Sequence, residues 1–401
     1  MRRAAIVAPL RTPVGTFGGT LRPVPAEDLA AVVIKAVVAQ AGIDPALIED
    51  VVFAQSYANS EAPCIGRWAA LHAGLPIGVP GLQIDRRCGG GLQAVVTAAM
   101  MVQTGAADVV LAGGVESMSS IEHYTTSMRW GSRSGNVSLF DRLDRGRERA
   151  QPAWRFGPIS GMVATAENLA QRYGITREEA DSYAVRSHQR AADAWQSGRF
   201  DDEVIPVEVP RRRGEPVSFT VDEGIRPGST VQQLGALRTI VPGGTVTAGN
   251  SSQQNDAAAA CLVVAEDVLG KLDLTPLGAL AGWTAVGCEP ATMGIGPVPA
   301  VAKLFDRTGL SFGDLDLIEV NEAFACQVLA VLKGWGVTDD EVADRLNVHG
   351  SGISLGHPIG ATGVRILTTA LHELRRRGGR YALETMCIGG GQGMAALFEA
   401  M

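Results

Sequence analysis

The sequence predicts an α/β protein built from two similar mixed-sheet halves. Two patterns and the composition point there. Short apolar runs of strand character alternate with segments of helical periodicity. The same order of elements then returns in the second part of the chain, although the halves share little sequence. Hydrophobic residues are 46% of the 401 and charged residues 19%, which provides for a large buried core and argues against disorder.

Ala4 to Ala8 reads as the first strand, followed by a helix from about Pro25 to Ala41. Its apolar stripe is Leu29, Val32, Val33, Ala36 and Val37, and Gly42 ends it. Val51 to Ala54 is a short strand, Pro63 to His72 a helix, and Gly81 to Ile84 an extended segment that stops just before Cys88. Leu92, Val95, Val96, Ala99 and Met100 then recur at helical spacing, and Asp108 to Ala112 is a buried strand.

The rhythm breaks between Ile121 and Val246. This stretch is rich in arginine (Arg129, Arg133, Arg142, Arg145, Arg147, Arg149, Arg155 and Arg211 to Arg213), with two legible helices, Ala164 to Tyr173 and Arg177 to Gln196. Thr176 and Glu179 form a capping box at the start of the second. The arginines fit either a solvated face or a polyphosphate site. The rhythm resumes with a strand at Ala258 to Ala265 and a new series from Ala279. Strand Leu315 to Val320 leads to a helix at Asn321; a helix at Ala361 to Arg376 and strands at Tyr381 to Cys387 and from Gly393 follow. The expected organisation is one half from residues 1–120 plus 247–272, an inserted region at 121–246, and a second half at 273–401.

The formal charge of −7 argues against a general nucleic-acid binder. The six cysteines include no CxxC pair, so neither a zinc site nor a disulfide framework is expected, and reduced thiols fit a cytoplasmic protein. No apolar run approaches the length of a membrane span.

Five segments carry candidate chemistry. Cys88 lies at the start of a helix and is followed by Gly89, Gly90 and Gly91, which let the chain turn and a substrate approach. Helix N–H groups there favour a thiolate. Asn321, Glu322, Ala323 and Phe324 sit at a strand-to-helix junction, where Asn321 suits a helix cap. The glycine-rich run from His349 to Gly363 fixes His357 between Gly356 and Pro358, a constrained imidazole that suits a base. Cys387 precedes Gly389, Gly390 and Gly391, whose N–H groups suit an oxyanion. Val246 to Ser252 is a tight polar turn able to hug a ligand. None of these segments matches a nucleotide-binding fingerprint.

In this order, CGGGLQ at Cys88, NEAFA at Asn321, GHPIGATG around His357 and CIGGGQG at Cys387 resemble the thiolase family over essentially the whole chain. The resemblance implies a five-layer αβαβα arrangement with a loop domain inserted in the first half. It implies an acyl-CoA C-acyltransferase that makes or cleaves 3-ketoacyl-CoA through an acylated Cys88. It assigns activation of Cys88 to His357, α-proton transfer to Cys387, and a water-holding role to Asn321. The N–H groups of Cys88 and Gly389 form an oxyanion hole in this scheme. Arg226, Ser252, Ala323 and Phe324 match coenzyme A contacts, and Met162 and Met293 match the acyl pocket. Coenzyme A is a substrate here; no other cofactor and no metal is implied, and a homodimer or homotetramer is. Acetyl-CoA and acetoacetyl-CoA are the leading substrates.

The chain departs from the family pattern at Gly90, at His349 to Ser351, at Gly161, and throughout Ser119 to Pro158. Two other readings stand beside the first: a non-catalytic acyl-CoA-binding or partner subunit of the same fold, and a ketoacyl synthase-like condensing enzyme.

Overall fold

The computed structural model describes residues 2–159 and 161–401. Met1 and Ser160, which fall within the ranges given above, lie outside them. In chain order the main elements are β1 (Ala4–Arg11), α1 (Ala26–Ala41), β2 (Asp50–Ala54), α2 (Ile65–His72), β3 (Leu82–Ile84), α3 (Gly90–Thr104) and β4 (Val109–Ser117). Helices α4 (Met162–Tyr173) and α5 (Arg177–Gln196) follow, then β5 (Asn255–Ala265), β6 (Pro276–Gly287) and α6 (Pro297–Thr308). The chain ends with β7 (Leu317–Val320), α7 (Ala325–Trp335), α8 (Thr362–Arg377), β8 (Tyr381–Ile388) and β9 (Gln392–Ala400).

The strands follow the path β7-β8-β9-β6-β1-β5-β4-β2-β3. The duplication is visible in the pairing. In the first half β2 runs parallel to β4, β4 antiparallel to β5, and β5 antiparallel to β1. In the second, β7 runs parallel to β8, β8 antiparallel to β9, and β9 antiparallel to β6. A short antiparallel contact between β1 and β6, with Ala5 opposite Ala279, joins the halves. Residues 118–254 lie between β4 and its partner β5, whereas β8 and β9 are joined by a glycine hairpin.

Helices α3 and α8 form the middle layer. Leu92, Val95 and Val96 of α3 and Val364, Leu367 and Leu371 of α8 share one core with residues of both half-sheets, such as Val110, Cys261, Met386 and Phe398. Helices α1 and α2 cover the outer face of the first half, through Leu29, Val33 and Ile65 against Phe53, Leu111 and Leu262. Helices α6 and α7 cover that of the second, together with α4 and α5. These are the five layers that the resemblance implied. Because both faces of each half are covered, β5 is buried along its whole length and reads as a continuous apolar run from Ala257 onward. Truncating a middle-layer residue such as Leu367 to alanine costs about 2–5 kcal/mol.

Helix α5 starts at the expected box: Glu179 N–H donates to Thr176 Oγ1 (3.1 Å) and Thr176 N–H to Glu179 Oε2 (2.7 Å). One element differs. Helix α7 begins at Ala325, not Asn321, and Phe324 precedes it without a side-chain cap. Asn321 is therefore not a helix cap. The Ala325 N–H is satisfied instead by the Asn250 carbonyl (2.9 Å), which ties the polar turn at Val246 to Ser252 onto α7.

Candidate active site

The chain leaves β3 through Asp85, whose Oδ1 accepts the Arg87 N–H (2.6 Å), and Arg87 adopts a left-handed φ of 46°. Cys88 sits in the single 3₁₀ turn Arg87–Gly89, just ahead of α3. The N–H groups of Gly389 and of Cys88 itself point at the sulfur. These are the two donors expected of an oxyanion hole, drawn from different halves. The expected depression of the thiol pKa is not found. Burial raises it, and it outweighs those N–H groups and the Arg87 charge, so the resting group is a thiol.

Gly356 (φ 105°) turns the chain so tightly against Asn255 that an added Cβ would lie 2.7 Å from that amide. Asn255 Oδ1 accepts the His357 N–H (2.8 Å). The ring is held by Thr362 at the first position of α8, whose Oγ1 lies 2.7 Å from Nδ1. With Nδ1 donating, Nε2 is left as an acceptor. Burial, then the charges of Arg365 and Arg147, push His357 down to about 3, so it rests as neutral imidazole. Asn321 is fully buried, with Nδ2 3.5 Å from both ring nitrogens. Its Oδ1 is buried and accepts no hydrogen bond from the described residues. Glu322 turns the other way. It accepts from Tyr183, Ser187, Asn347 and the N–H groups of Ser351 and Ile353, and so locks α5 against the histidine loop. His349, the other histidine of that loop, pairs with Glu373 (2.9 Å) instead.

Cys387 lies on β8 opposite Gly393, with Gly389 to Gly391 forming the hairpin beyond. Burial raises its thiol well above the ordinary value, as do the neighbouring sulfurs of Cys88 and Cys288. Both cysteines thus rest protonated.

Backbone packing brings the two halves of the site together. A Cβ on Gly363 would lie 2.1 Å from Leu92 N, and one on Gly91 2.9 Å from the Gly360 carbonyl. Only glycine allows α3 and α8 to start in such contact. Glu116 reinforces it: its carboxylate accepts N–H groups of Ser56 (3.1 Å), Tyr57 (3.2 Å) and Gly360 (3.0 Å).

These groups open on one cavity of about 840 Å³. Cys88, His357, Cys387, Gly389, Arg226, Ser252, Met162, Met293, Ala323 and Phe324 all line it. Asn321 does not; it stands behind His357. Ser252 and Ala323 are joined by a backbone hydrogen bond (2.9 Å), and the Arg226 N–H donates to His188 (3.2 Å). Tyr57, Arg87 and Arg147 also line the cavity, although the motifs did not single them out as site residues. Of the insertion's other arginines, Arg129, Arg133, Arg149, Arg155 and Arg211 to Arg213 are exposed. Arg142 pairs with Glu122, and Arg145 stacks on Phe140. Most are a solvated or structural set. Thr362 was likewise missed; its place just before the apolar stripe of α8 was the one available signal. Two thiols, a neutral imidazole and two N–H donors around one cavity suit transfer of an acyl group and of a proton at carbon.

Residues 4–267 match the family model described as thiolase, N-terminal domain, and residues 274–400 match thiolase, C-terminal domain. An acetyl-CoA acetyltransferase of Chromobacterium violaceum is 45% identical, over 98% of this chain and 99% of the relative. A beta-ketothiolase of Cupriavidus necator is 43% identical over 99% of each. Among solved structures, the Bacillus anthracis acetyl-CoA acetyltransferase superposes with a TM-score of 0.95 at 40% identity, over 100% of this chain and 99% of that one. Human mitochondrial 3-ketoacyl-CoA thiolase in complex with CoA gives 0.92 at 39% identity, over 100% and 98%. The chain belongs to the thiolase family and is an acyl-CoA C-acyltransferase.

Proposed function

We propose that this thiolase interconverts 3-ketoacyl-CoA plus coenzyme A with acyl-CoA plus acetyl-CoA through an acylated Cys88. The observation that carries the reading is the convergence of Cys88, His357 and Cys387 on one cavity. The neutral resting state is the one from which cleavage starts. His357 Nε2 takes the Cys88 proton as the sulfur attacks the C3 carbonyl. The C2–C3 bond breaks, the Cys387 thiol protonates the departing enolate, and acetyl-CoA leaves. Coenzyme A then gives its thiol proton to the Cys387 thiolate and attacks the acyl-Cys88 thioester. Cys88 leaves and recovers its proton from His357. Condensation is the same path reversed. The Cys88 and Gly389 N–H groups hold the thioester oxyanion, and water on Asn321 with His357 holds the enolate oxygen. The unpartnered Asn321 oxygen supports that last role.

Arg226, Ser252, Ala323 and Phe324 belong, in this reading, to the coenzyme A channel, and Met162 and Met293 to the acyl pocket. A cytoplasmic location, a part in fatty acid metabolism and a homo-oligomeric state complete the proposal. The six free thiols support the first. No helix among the described residues is long and apolar enough to cross a membrane. The test is thiolysis of acetoacetyl-CoA by the purified protein. Release of acetyl-CoA at a normal enzymatic rate, lost in Cys88→Ala, supports the reading. Binding of coenzyme A without turnover contradicts it.

A further inference from the structure

The cavity is lined by two arginines that the acyl-transfer scheme does not use, together with the carboxylates of Asp144 and Glu148. Arg87 immediately precedes the nucleophile and lines the cavity. Its Cδ and the Met162 sulfur both lie 3.6 Å from where a Cβ on Gly389 would stand, so the Arg87 stem borders the acyl side of the site. Among the described residues its guanidinium donates no hydrogen bond and faces no carboxylate in ion-pair range. Arg147 reaches the same cavity from the short helix Arg142–Glu148. Its carboxylate neighbour, Asp144, is 3.4 Å away with a side chain 68% exposed, and its other neighbour is the neutral Gln254 amide (3.2 Å). Tyr57 feels the charge of both arginines, and its hydroxyl is committed to the Leu143 carbonyl (3.3 Å). Arg87 faces no anion and Arg147 is paired only with the exposed Asp144, so both half-buried guanidiniums are incompletely compensated, and their planar donors match a carboxylate.

We propose, resting on the reaction given above, that Arg87 and Arg147 bind a carboxylate at the end of the acyl chain, so that the preferred substrates are 3-ketoacyl-CoA esters of short dicarboxylic acids. Acyl transfer is unchanged: the acyl group on Cys88 simply carries a distal carboxylate beyond its thioester carbonyl. A neutral alkyl chain of the same length leaves Arg87 without an anion and Arg147 with only the exposed Asp144, which disfavours it.

Two substrates of equal length separate the cases. Thiolysis of 3-oxoadipyl-CoA and of 3-oxohexanoyl-CoA is compared by kcat/KM, with acetoacetyl-CoA as the reference. The wild-type enzyme is expected to prefer 3-oxoadipyl-CoA by about ten- to a hundredfold, the range of a hydrogen-bonded charged contact. Arg87→Met and Arg147→Met are each expected to lower that ratio at least about fivefold. Equal use of both substrates by the wild type overturns the proposal. So does a uniform fall for all three substrates in the variants, which would assign the arginines to coenzyme A phosphates or to the oxyanion. If acetoacetyl-CoA is not cleaved either, the reaction itself is at fault, not the carboxylate site.

Discussion

Burial governs protonation throughout the site. Cys88 and Cys387 rest as thiols and His357 as imidazole because each charged form would have to leave water. As candidates all three stood out in the sequence, since each lies beside or within two residues of a glycine at a turn. Their protonation did not, because helix N–H groups are local while desolvation is set by packed neighbours. The same reason hid Thr362, Arg87 and Arg147, which enter the site through contacts distant in sequence or by pointing inward from a turn. The same physics makes a pH prediction at His188, which burial and Arg226 push down to about 4. Between its ordinary 6.5 and about 4 the unfolded chain binds a proton that the folded chain refuses. Its contribution is therefore intact above pH 6.5 and erodes as pH falls, by about 1.4 kcal/mol per unit. His188→Asn keeps an acceptor for the Arg226 N–H and removes the titration. Denaturant unfolding at pH 7 and pH 5 should show the variant losing about 2 kcal/mol less than wild type. An identical loss would mean that His188 is not held neutral.

At the scale of elements, the alternation of strands and helices and the repeat of their order were readable from periodicity. The capped start of α5 was readable from Thr176 and Glu179 alone. The start of α7 was not, because Asn321 resembles a cap while its amide is committed to the space beside His357. What the pattern could not show is how closely α3 and α8 approach. Gly363 and Gly91 set that distance. Gly363→Ala should force the helix starts apart and shift Cys88 relative to His357. A displacement near 1 Å costs about a hundredfold in rate, with about 1–3 kcal/mol of stability lost to overpacking. Gly270→Ala, whose Cβ meets nothing within 4 Å, is the control. Measured kcat near wild type for Gly363→Ala would show that the contact does not position the site.

At the scale of the molecule, β3 is an edge strand, with Leu82 (41%) and Ile77 (86%) exposed beside it. Trp130 and Trp154, in the stretch that departs from the family pattern, are 93% and 87% exposed. Open edges and apolar patches of this kind call for cover. A second copy is the expected cover, because a two-fold axis sets the same edge against itself. Light scattering at micromolar concentration should give two or four times 41.9 kDa. A stable mass at the monomer value would contradict this, and the tryptophans would need another partner. The two-half architecture was legible because duplication repeats motifs. The partner surface was not, since exposure appears only once the fold is built.

The proposed reaction divides the labour between two cysteines, and the half-reactions of a Cys387 variant separate their parts. In the proposed reaction, acylation of Cys88 by acetyl-CoA uses His357 and the N–H pair but moves no proton at carbon. Cys387→Ala should therefore keep the acetyl mass increment on Cys88 and the exchange of labelled coenzyme A into acetyl-CoA. Its thiolysis and condensation rates should fall by about 10²–10⁴. Loss of the acetyl increment in a folded Cys387→Ala protein that still binds coenzyme A, or unimpaired thiolysis in that variant, would contradict this division of labour.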